Sequence, residues 1–334
     1  MTSQLYEPLL DPKNQKFTCF PIVYNDIWNE YKAQLECFWI PNEIKFNHDY
    51  SDFITLNPDE QKFIKMVLAF FASSDGIVNW NLSERFTKEI KITEALFAYQ
   101  FQMMMENIHS EVYSLMLDNI VKDEKEKKEL FDAINTVPSV KKMADWALKW
   151  IDSTESFAHR LIAFALVEGV FFSGAFAAIF WLKKYKNNTD PGARPFMFGL
   201  THSNYLISRD EGLHCRFACV LYSHLYNKIT AENAEVIFRS CVEIAQEFMT
   251  DALPVGLLGM NQGLMNQYIE YHADTIINML GYKKIFNQTN PFKFMEMIGS
   301  TNKSNFFEVD PSEYKKNTSA PIDIKKSLVI SEDW

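Results

Sequence analysis

The sequence predicts an all-α protein, and three observations carry that prediction. Apolar patterns of helical period run through most of the 334 residues, only 11 Gly and 12 Pro punctuate them, and 47% apolar with 15% aromatic residues furnish a large core.

Residues 1–20 read as an irregular arm, and 22–38 as an amphipathic aromatic helix that Pro41 ends, with Trp39 at the boundary. Asn57-Pro58-Asp59-Glu60 is a helix start: an amide side chain to cap, proline at the first helical position and acids in the first turn. That helix is expected over 57–86. Its buried row reads Ile64, Leu68, Phe71 and then Asp75, so an acid stands where an apolar residue belongs. The pattern over 93–121 is apolar nearly all round, and Glu106, His109 and Tyr113 share one face of it at i, i+3 and i+7. A carboxylate and an imidazole buried there need partners.

The mixed charges of 122–128 read as a solvated turn and helix start, followed by an amphipathic helix over 130–151 that breaks near Pro138. Residues 161–182 are long and apolar enough to span a bilayer, yet Glu168 lies near the middle. An acid at that depth argues against a membrane span and for a core helix that meets a cation or a metal. A surface loop over 186–195 precedes helices over 200–226, 231–253 and 257–280. Beyond about 301 the chain is polar and aperiodic, so its tail is expected to be flexible in isolation.

A formal net charge of −10 gives no electrostatic reason to bind nucleic acid or an anionic membrane. The odd set Cys19, Cys37, Cys215, Cys219 and Cys241 lacks any Cys-x-x-Cys pair, which suits reduced thiols in a cytoplasmic protein. Residues 1–11 show no secretory signal pattern.

Glu-x-x-His occurs twice, at Glu106/His109 and Glu211/His214, each inside a long helical pattern. The i, i+3 spacing lets both side chains of a pair reach one point beside the helix. Asp75 and Glu168 each place a lone acid on the apolar face of another helix. Four carboxylates and two imidazoles from four helices match the di-metal carboxylate arrangement of helical bundles, and four negative charges balance two divalent ions. Hard oxygen donors with imidazole suit iron or manganese. Any one of these residues alone would read as a helix-surface acid or a satisfied core histidine; the repeated spacing on buried rows makes them a set. Tyr113, one turn past His109, should lie beside the metals, with Phe172, Phe176 and Ile207 as apolar neighbours. A tyrosine so placed could lose one electron to an oxygen-activating metal pair, and a dry pocket would preserve the radical.

At these residues the sequence resembles the small, radical-generating subunit of class I ribonucleotide reductase, of the eukaryotic and poxviral type. The stretches that carry the resemblance are Ala-Ser-Ser-Asp-Gly-Ile-Val-Asn at 72–79, Met-Glu-Asn-Ile-His-Ser-Glu at 105–111, Ala-Asp-Trp-Ala-Leu at 144–148, Val-Glu-Gly-Val-Phe-Phe-Ser-Gly at 167–174 and Ile-Ser-Arg-Asp-Glu-Gly-Leu-His-Cys at 207–215. The resemblance implies a ferritin-like bundle over 21–300, an N-terminal arm over 1–20 and a docking tail over 301–334. It implies a di-iron centre on Asp75, Glu106, His109, Glu168, Glu211 and His214, with two iron ions per chain or manganese in their place, and a stable radical on Tyr113. It also implies a radical-transfer route through Trp39, Asp210 and Tyr314, with Asp210 holding His109.

The implied partners are a second copy of the chain and a catalytic large subunit that reduces ribonucleoside diphosphates. The tail Leu328, Val329, Ile330, Ser331, Glu332, Asp333, Trp334 resembles the segment that docks on it. Departures from the family pattern are Trp334 where Phe is usual, Tyr205 where an acid is usual, Trp80 in place of a small acid and a longer loop over 186–195. Two other readings stay open from sequence: a stand-alone di-iron oxidase or monooxygenase, and a non-catalytic scaffold subunit.

Overall fold

Helix boundaries follow the capping chemistry, in a computed structural model that describes residues 6–186, 193–252, 260–292 and Met295. Among the described residues there is no strand. Helix α1 spans Asn25–Glu36, and the five-residue α2 spans Asp49–Phe53. Helix α3, Pro58–Asn81, opens with a reciprocal cap in which Asn57 accepts from the Glu60 amide and Glu60 accepts from the Asn57 amide. It continues through a π-helical turn over Leu82–Phe86. Helix α4 is Thr93–Ile120. The expected helix over 130–151 divides into α5 (Glu124–Phe131), a single turn at Ala133–Thr136, and α6 (Pro138–Ile151), because Pro138 cannot continue the preceding turn.

The apolar segment over Phe157–Tyr185 is long and apolar enough to cross a membrane, but its most apolar stretch is entirely buried inside the bundle. It is not one regular helix. Helix α7 (Phe157–Leu166) and α8 (Phe172–Tyr185) are joined by a π-helical turn over Val167–Phe171 that carries Glu168. Gly169 within that turn is tightly approached: a Cβ there would lie 2.4 Å from Ile276 Cδ1 and 2.7 Å from Cys215 Sγ. The extra residue of a π turn is a common device at functional sites, and here it sets an acid into the bundle core. Helices α9 (Phe198–Ser223), α10 (Ala231–Ala252) and α11 (Gln262–Met279) complete the described fold.

Helices α3 and α4 pack side by side, α4 also packs on α1, and α9 packs on α7, α1 and α8. The core between them is continuous and rich in phenylalanine: Phe70, Phe71, Phe86, Phe164, Phe172, Phe176 and Phe180 are all nearly inaccessible.

Helix α9 has an unusual start. Met197 adopts φ 42°, and the amides of Met197, Gly199 and Leu200 donate to two carboxylates of α2: Asp52 at 2.8 Å, and Asp49 at 3.0 and 2.7 Å. Arg194 clamps Asp52 through both terminal nitrogens. Negative charge at a helix N-terminus is stabilising, so two acids from elsewhere in the chain fix the end of α9.

The described part of the N-terminal segment has two short 3-10 turns, Pro8–Leu10 and Pro12–Asn14, and is anchored to the bundle. Leu9 is fully buried, its carbonyl accepts from Lys91, Glu7 accepts from the Tyr226 and Asn227 amides, and Glu94 accepts from the Val23 amide. Of the cysteines, Cys215, Cys219 and Cys241 are buried while Cys19 and Cys37 are half-buried, and all five are free thiols. Tyr205 lies under the Lys183 ammonium, 5.8 Å from ring centre to nitrogen, which accounts for an aromatic ring at that position. The proposed tail over 301–334, with Tyr314 and Leu328–Trp334, lies outside the described residues, as does most of the 186–195 loop.

Candidate metal centre

Four helical segments deliver the candidate ligands. Asp75 comes from α3, Glu106 and His109 from α4, Glu168 from the π turn, and Glu211 and His214 from α9. All six are at most 1% exposed. Glu106, Glu168, Glu211 and His214 each bring a ligand atom to within 4.8 Å of one another, and Asp75, Glu106 and His109 do the same. Glu106 belongs to both groups, so the six form two adjoining subsites that share it.

Both imidazoles turn Nδ1 toward the carboxylates. His214 Nδ1 lies 2.9 Å from Glu211 and 3.1 Å from Glu106; His109 Nδ1 lies 2.9 Å from Glu211 and 3.5 Å from Glu106. His109 directs Nε2 to Asp210 Oδ2 at 3.2 Å. That same oxygen accepts from the Trp39 indole at 2.6 Å, and the Trp39 and His109 rings stack at 6.0 Å. Arg209 holds the other oxygen of Asp210 and also donates to the Cys37 carbonyl, tying α9 to the end of α1.

The electrostatics are those of a cation site. Burial, reinforced by Glu106, pushes the Asp75 carboxyl well above the ordinary range, and burial with Glu211 and Glu106 does the same to Glu168. Burial opposes the charge on Glu211 too, but His214 and His109 outweigh it and hold that carboxyl far below the ordinary range. Burial would lower His214, yet Glu211 and Glu106 push it up to about 9, and His109 is likewise raised by Glu211 and Asp210. Protons on the two rings thus occupy positions that suit metal ions.

Both oxygens of Asp75, Oε2 of Glu106 and Glu168, Oε1 of Glu211 and Nδ1 of His109 are buried without an aligned hydrogen-bond partner. Buried carboxylate oxygens without donors are costly, and coordination to cations removes that cost. The residues therefore fit a metal pair, and the donor set suits iron or manganese.

Tyr113 is 1% exposed with its hydroxyl unpartnered, and burial next to Asp75 pushes its pKa well up, so it is a neutral phenol. The ring that stacks on it is Phe71, at 4.6 Å and 9°, a residue that the sequence marks only as one of the buried row of α3. Phe71 in turn packs on Phe172 at 5.7 Å and Phe176 at 4.9 Å, and Ile207 is fully buried on α9.

Gln102 is a second residue that sequence reasoning missed. Its amide nitrogen donates to Glu168 at 2.9 Å and approaches Glu106 at 3.3 Å, joining two candidate ligands. It lies one turn before Glu106, so extending the Glu106–His109–Tyr113 stripe backward would have found it.

A helical bundle whose core gathers four carboxylates and two imidazoles defines a metal-site protein of ferritin-like fold. Within that class the chain belongs to the ribonucleotide reductase small chain family, whose model matches residues 16–291. The ribonucleoside-diphosphate reductase small chain of Monkeypox virus is 56% identical over 310 residues, covering 93% of this chain and 94% of that one. The small chain from Encephalitozoon cuniculi is 53% identical over 311 residues, covering 93% and 92%. Among solved structures, the ribonucleotide reductase Rnr4 homodimer of Saccharomyces cerevisiae superposes with a TM-score of 0.77 at 37% identity, covering 92% of this chain and 93% of that one. The ribonucleotide reductase R2 subunit of Clostridium botulinum, at 21% identity, a TM-score of 0.69 and coverage of 86% and 90%, shares the fold. The activity is that of ribonucleoside-diphosphate reductase, and this chain is its small, oxidoreductase subunit.

Proposed function

We propose that Asp75, Glu106, His109, Glu168, Glu211 and His214 hold two metal ions, iron by preference, and that Tyr113 carries a stable one-electron-oxidised radical. The observation that carries this reading is the buried six-ligand cluster with a neutral, fully enclosed tyrosine one turn beyond His109. Bound iron would supply oxygen activation and oxidising power, and manganese suits the same donors. The protein's part is positional. Asp210 orients His109 so that Nδ1 faces the site, Gln102 aligns Glu168 beside Glu106, and Phe71 with the Phe172–Phe176 wall excludes water and reductants from Tyr113.

The His109, Asp210 and Trp39 side chains form a continuous run of contacts leading away from the metal site, with Tyr113 one helical turn beyond His109, and Tyr314 would extend the transfer toward a large catalytic subunit. The segment Leu328, Val329, Ile330, Glu332, Asp333, Trp334 would dock there. Deleting 328–334 should abolish capture of the large subunit in a pull-down while leaving the radical intact; undiminished capture refutes the docking role.

A homodimer is supported by the yeast relative, whose solved structure is that of an Rnr4 homodimer, and by an exposed apolar face on α1 and α4. There Trp28 packs on Phe97, Tyr31 and Phe38 pack on Phe101, and Phe38 and Met104 are 49% and 40% exposed. Met104→Glu should shift the dimer to monomer in sedimentation velocity; an unchanged dimer sinks this face as the interface. Five free thiols agree with a reducing, cytoplasmic setting. Fractionation of expressing cells tests it, and recovery from an oxidising compartment refutes it.

The decisive experiment is electron paramagnetic resonance of metal-free protein given ferrous iron and air, beside Tyr113→Phe. A tyrosyl signal in the wild type alone is expected. A signal that survives in Tyr113→Phe overturns the assignment, and silence with two ions bound favours a manganese cofactor or the scaffold reading.

A further inference from the structure

Two tyrosines flank the candidate metal centre symmetrically on α4. Tyr113 stands seven residues after Glu106 and Tyr99 seven before it, so both share the ligand face, each about 10 Å along the helix axis from Glu106. Tyr113 stands one turn beyond His109 of the Asp75–Glu106–His109 subsite, and among the acids Asp75 acts on its phenol most strongly. Tyr99 belongs to the other end. Its ring is fully buried, stacked on Phe86 at 5.6 Å and edge-on to Phe217 at 4.9 Å, and its phenol lies in the field of Glu168.

Tyr99 and Gln102 stand one turn apart on one face of α4, Gln102 bonds Glu168, and each of the three carries a buried polar atom without a hydrogen-bond partner: Tyr99 Oη, Gln102 Oε1 and Glu168 Oε2. None of these atoms bonds another directly. Gln102 uses its amide nitrogen on Glu168 Oε1 and Glu106, which leaves its oxygen as an acceptor. One donor and two acceptors form the set that a single buried water satisfies, since such waters typically make about three hydrogen bonds.

We propose that Tyr99 is a positioning residue for Glu168: its hydroxyl donates to one buried water, which donates in turn to Gln102 Oε1 and to the Glu168 carboxylate. Glu168 needs such support more than the other acids do. It stands on the π turn over Val167–Phe171, where the regular helical hydrogen-bond register is interrupted. The inference rests on the metal-site reading above and concerns the subsite containing Glu168 and His214.

The test uses full-length metal-free protein titrated anaerobically with cobalt(II), followed by calorimetry and visible absorption. Wild type should take up two ions. Tyr99→Phe, which removes only the hydroxyl, should weaken one of the two steps about tenfold and shift the absorption bands of that ion, because outer hydrogen-bond partners tune the ligands they orient. Tyr222→Phe, whose hydroxyl pairs with Tyr282 elsewhere in the fold, is the control. Two ions bound by Tyr99→Phe with unchanged affinity and bands overturn the role of Tyr99 alone, whereas a wild type that binds no cobalt overturns the metal reading with it. A high-resolution crystal structure of the cobalt-loaded wild type tests the same point without a variant. A water within hydrogen-bond reach of Tyr99 Oη and Gln102 Oε1 is expected, and its absence overturns the proposal.

Discussion

The Trp39 indole donates to Asp210 Oδ2 over 2.6 Å, joining residues 171 positions apart in sequence, and the same oxygen meets His109 Nε2 at 3.2 Å. One carboxylate oxygen therefore connects a candidate metal ligand to an aromatic ring at the end of α1. Trp39 is 2% exposed, so this contact is dry and rigid. Trp39→Phe should keep metal uptake and the Tyr113 radical while turnover with the large subunit falls to background. Substantial turnover in the reconstituted complex would show that the transfer route runs elsewhere.

Gln102→Leu tests a different link. The substitution removes the amide that holds Glu168 beside Glu106 at nearly constant volume. Metal affinity should fall about 10- to 100-fold, the usual cost of losing a hydrogen bond to a metal ligand. Calorimetric titration with manganese(II) reads it directly, and wild-type affinity would mean the amide is packing only.

The two histidines predict how the metal-free protein responds to pH. Burial alone would lower His214, but Glu211 and Glu106 raise it from 6.5 to about 9. A raised folded value means the stabilisation is fully present below pH 6.5 and is lost as pH rises through about 9. Asp75 and Glu168, also raised, act in the same direction. The melting temperature of metal-free protein should therefore fall between about pH 7 and 9.5, and that of metal-loaded protein should fall less. Metal affinity should climb over the same range, by about tenfold per pH unit for each proton displaced. A flat affinity profile below pH 9 would contradict protonated imidazoles in the metal-free site.

Gly199 marks how tightly α9 is set. A Cβ there would lie 2.4 Å from Phe46 Cδ1 and 2.8 Å from Asp49 Oδ2. Gly199→Ala should displace Asp49 from the helix end and destabilise the fold by about 1–3 kcal/mol, read as a lowered denaturation midpoint. Wild-type stability would mean that α2 yields without cost.

Much of the candidate site was legible because its proposed ligands obey helical spacing. Glu106, His109 and Tyr113 are read from one helix face, Glu211 and His214 from another, and Asp75 and Glu168 stand out as acids in apolar rows. Their chemistry needs burial, and burial leaves a mark on sequence. Phe71 was hidden for the opposite reason: a phenylalanine in a core row looks like any other, and only packing shows that it covers Tyr113. Gln102 and Tyr99 lie on the same face as the candidate ligands, where extending the stripe backward from Glu106 reaches them, but neither is charged or paired in a motif, so spacing places them without giving either a role.

The amino-acid order by itself determined that the chain is helical, where α3, α4 and α10 begin, and which six side chains are candidates to hold metals. These are local matters, settled by period, caps and residue type within one helix. The tertiary structure decided the rest. It chose the π turn that swings Glu168 inward, the shared oxygen of Asp210 that joins Trp39 to His109, and the acids of α2 that pin α9. Each of these depends on groups far apart in sequence meeting at about 3 Å, and no local pattern encodes a distance across a folded core.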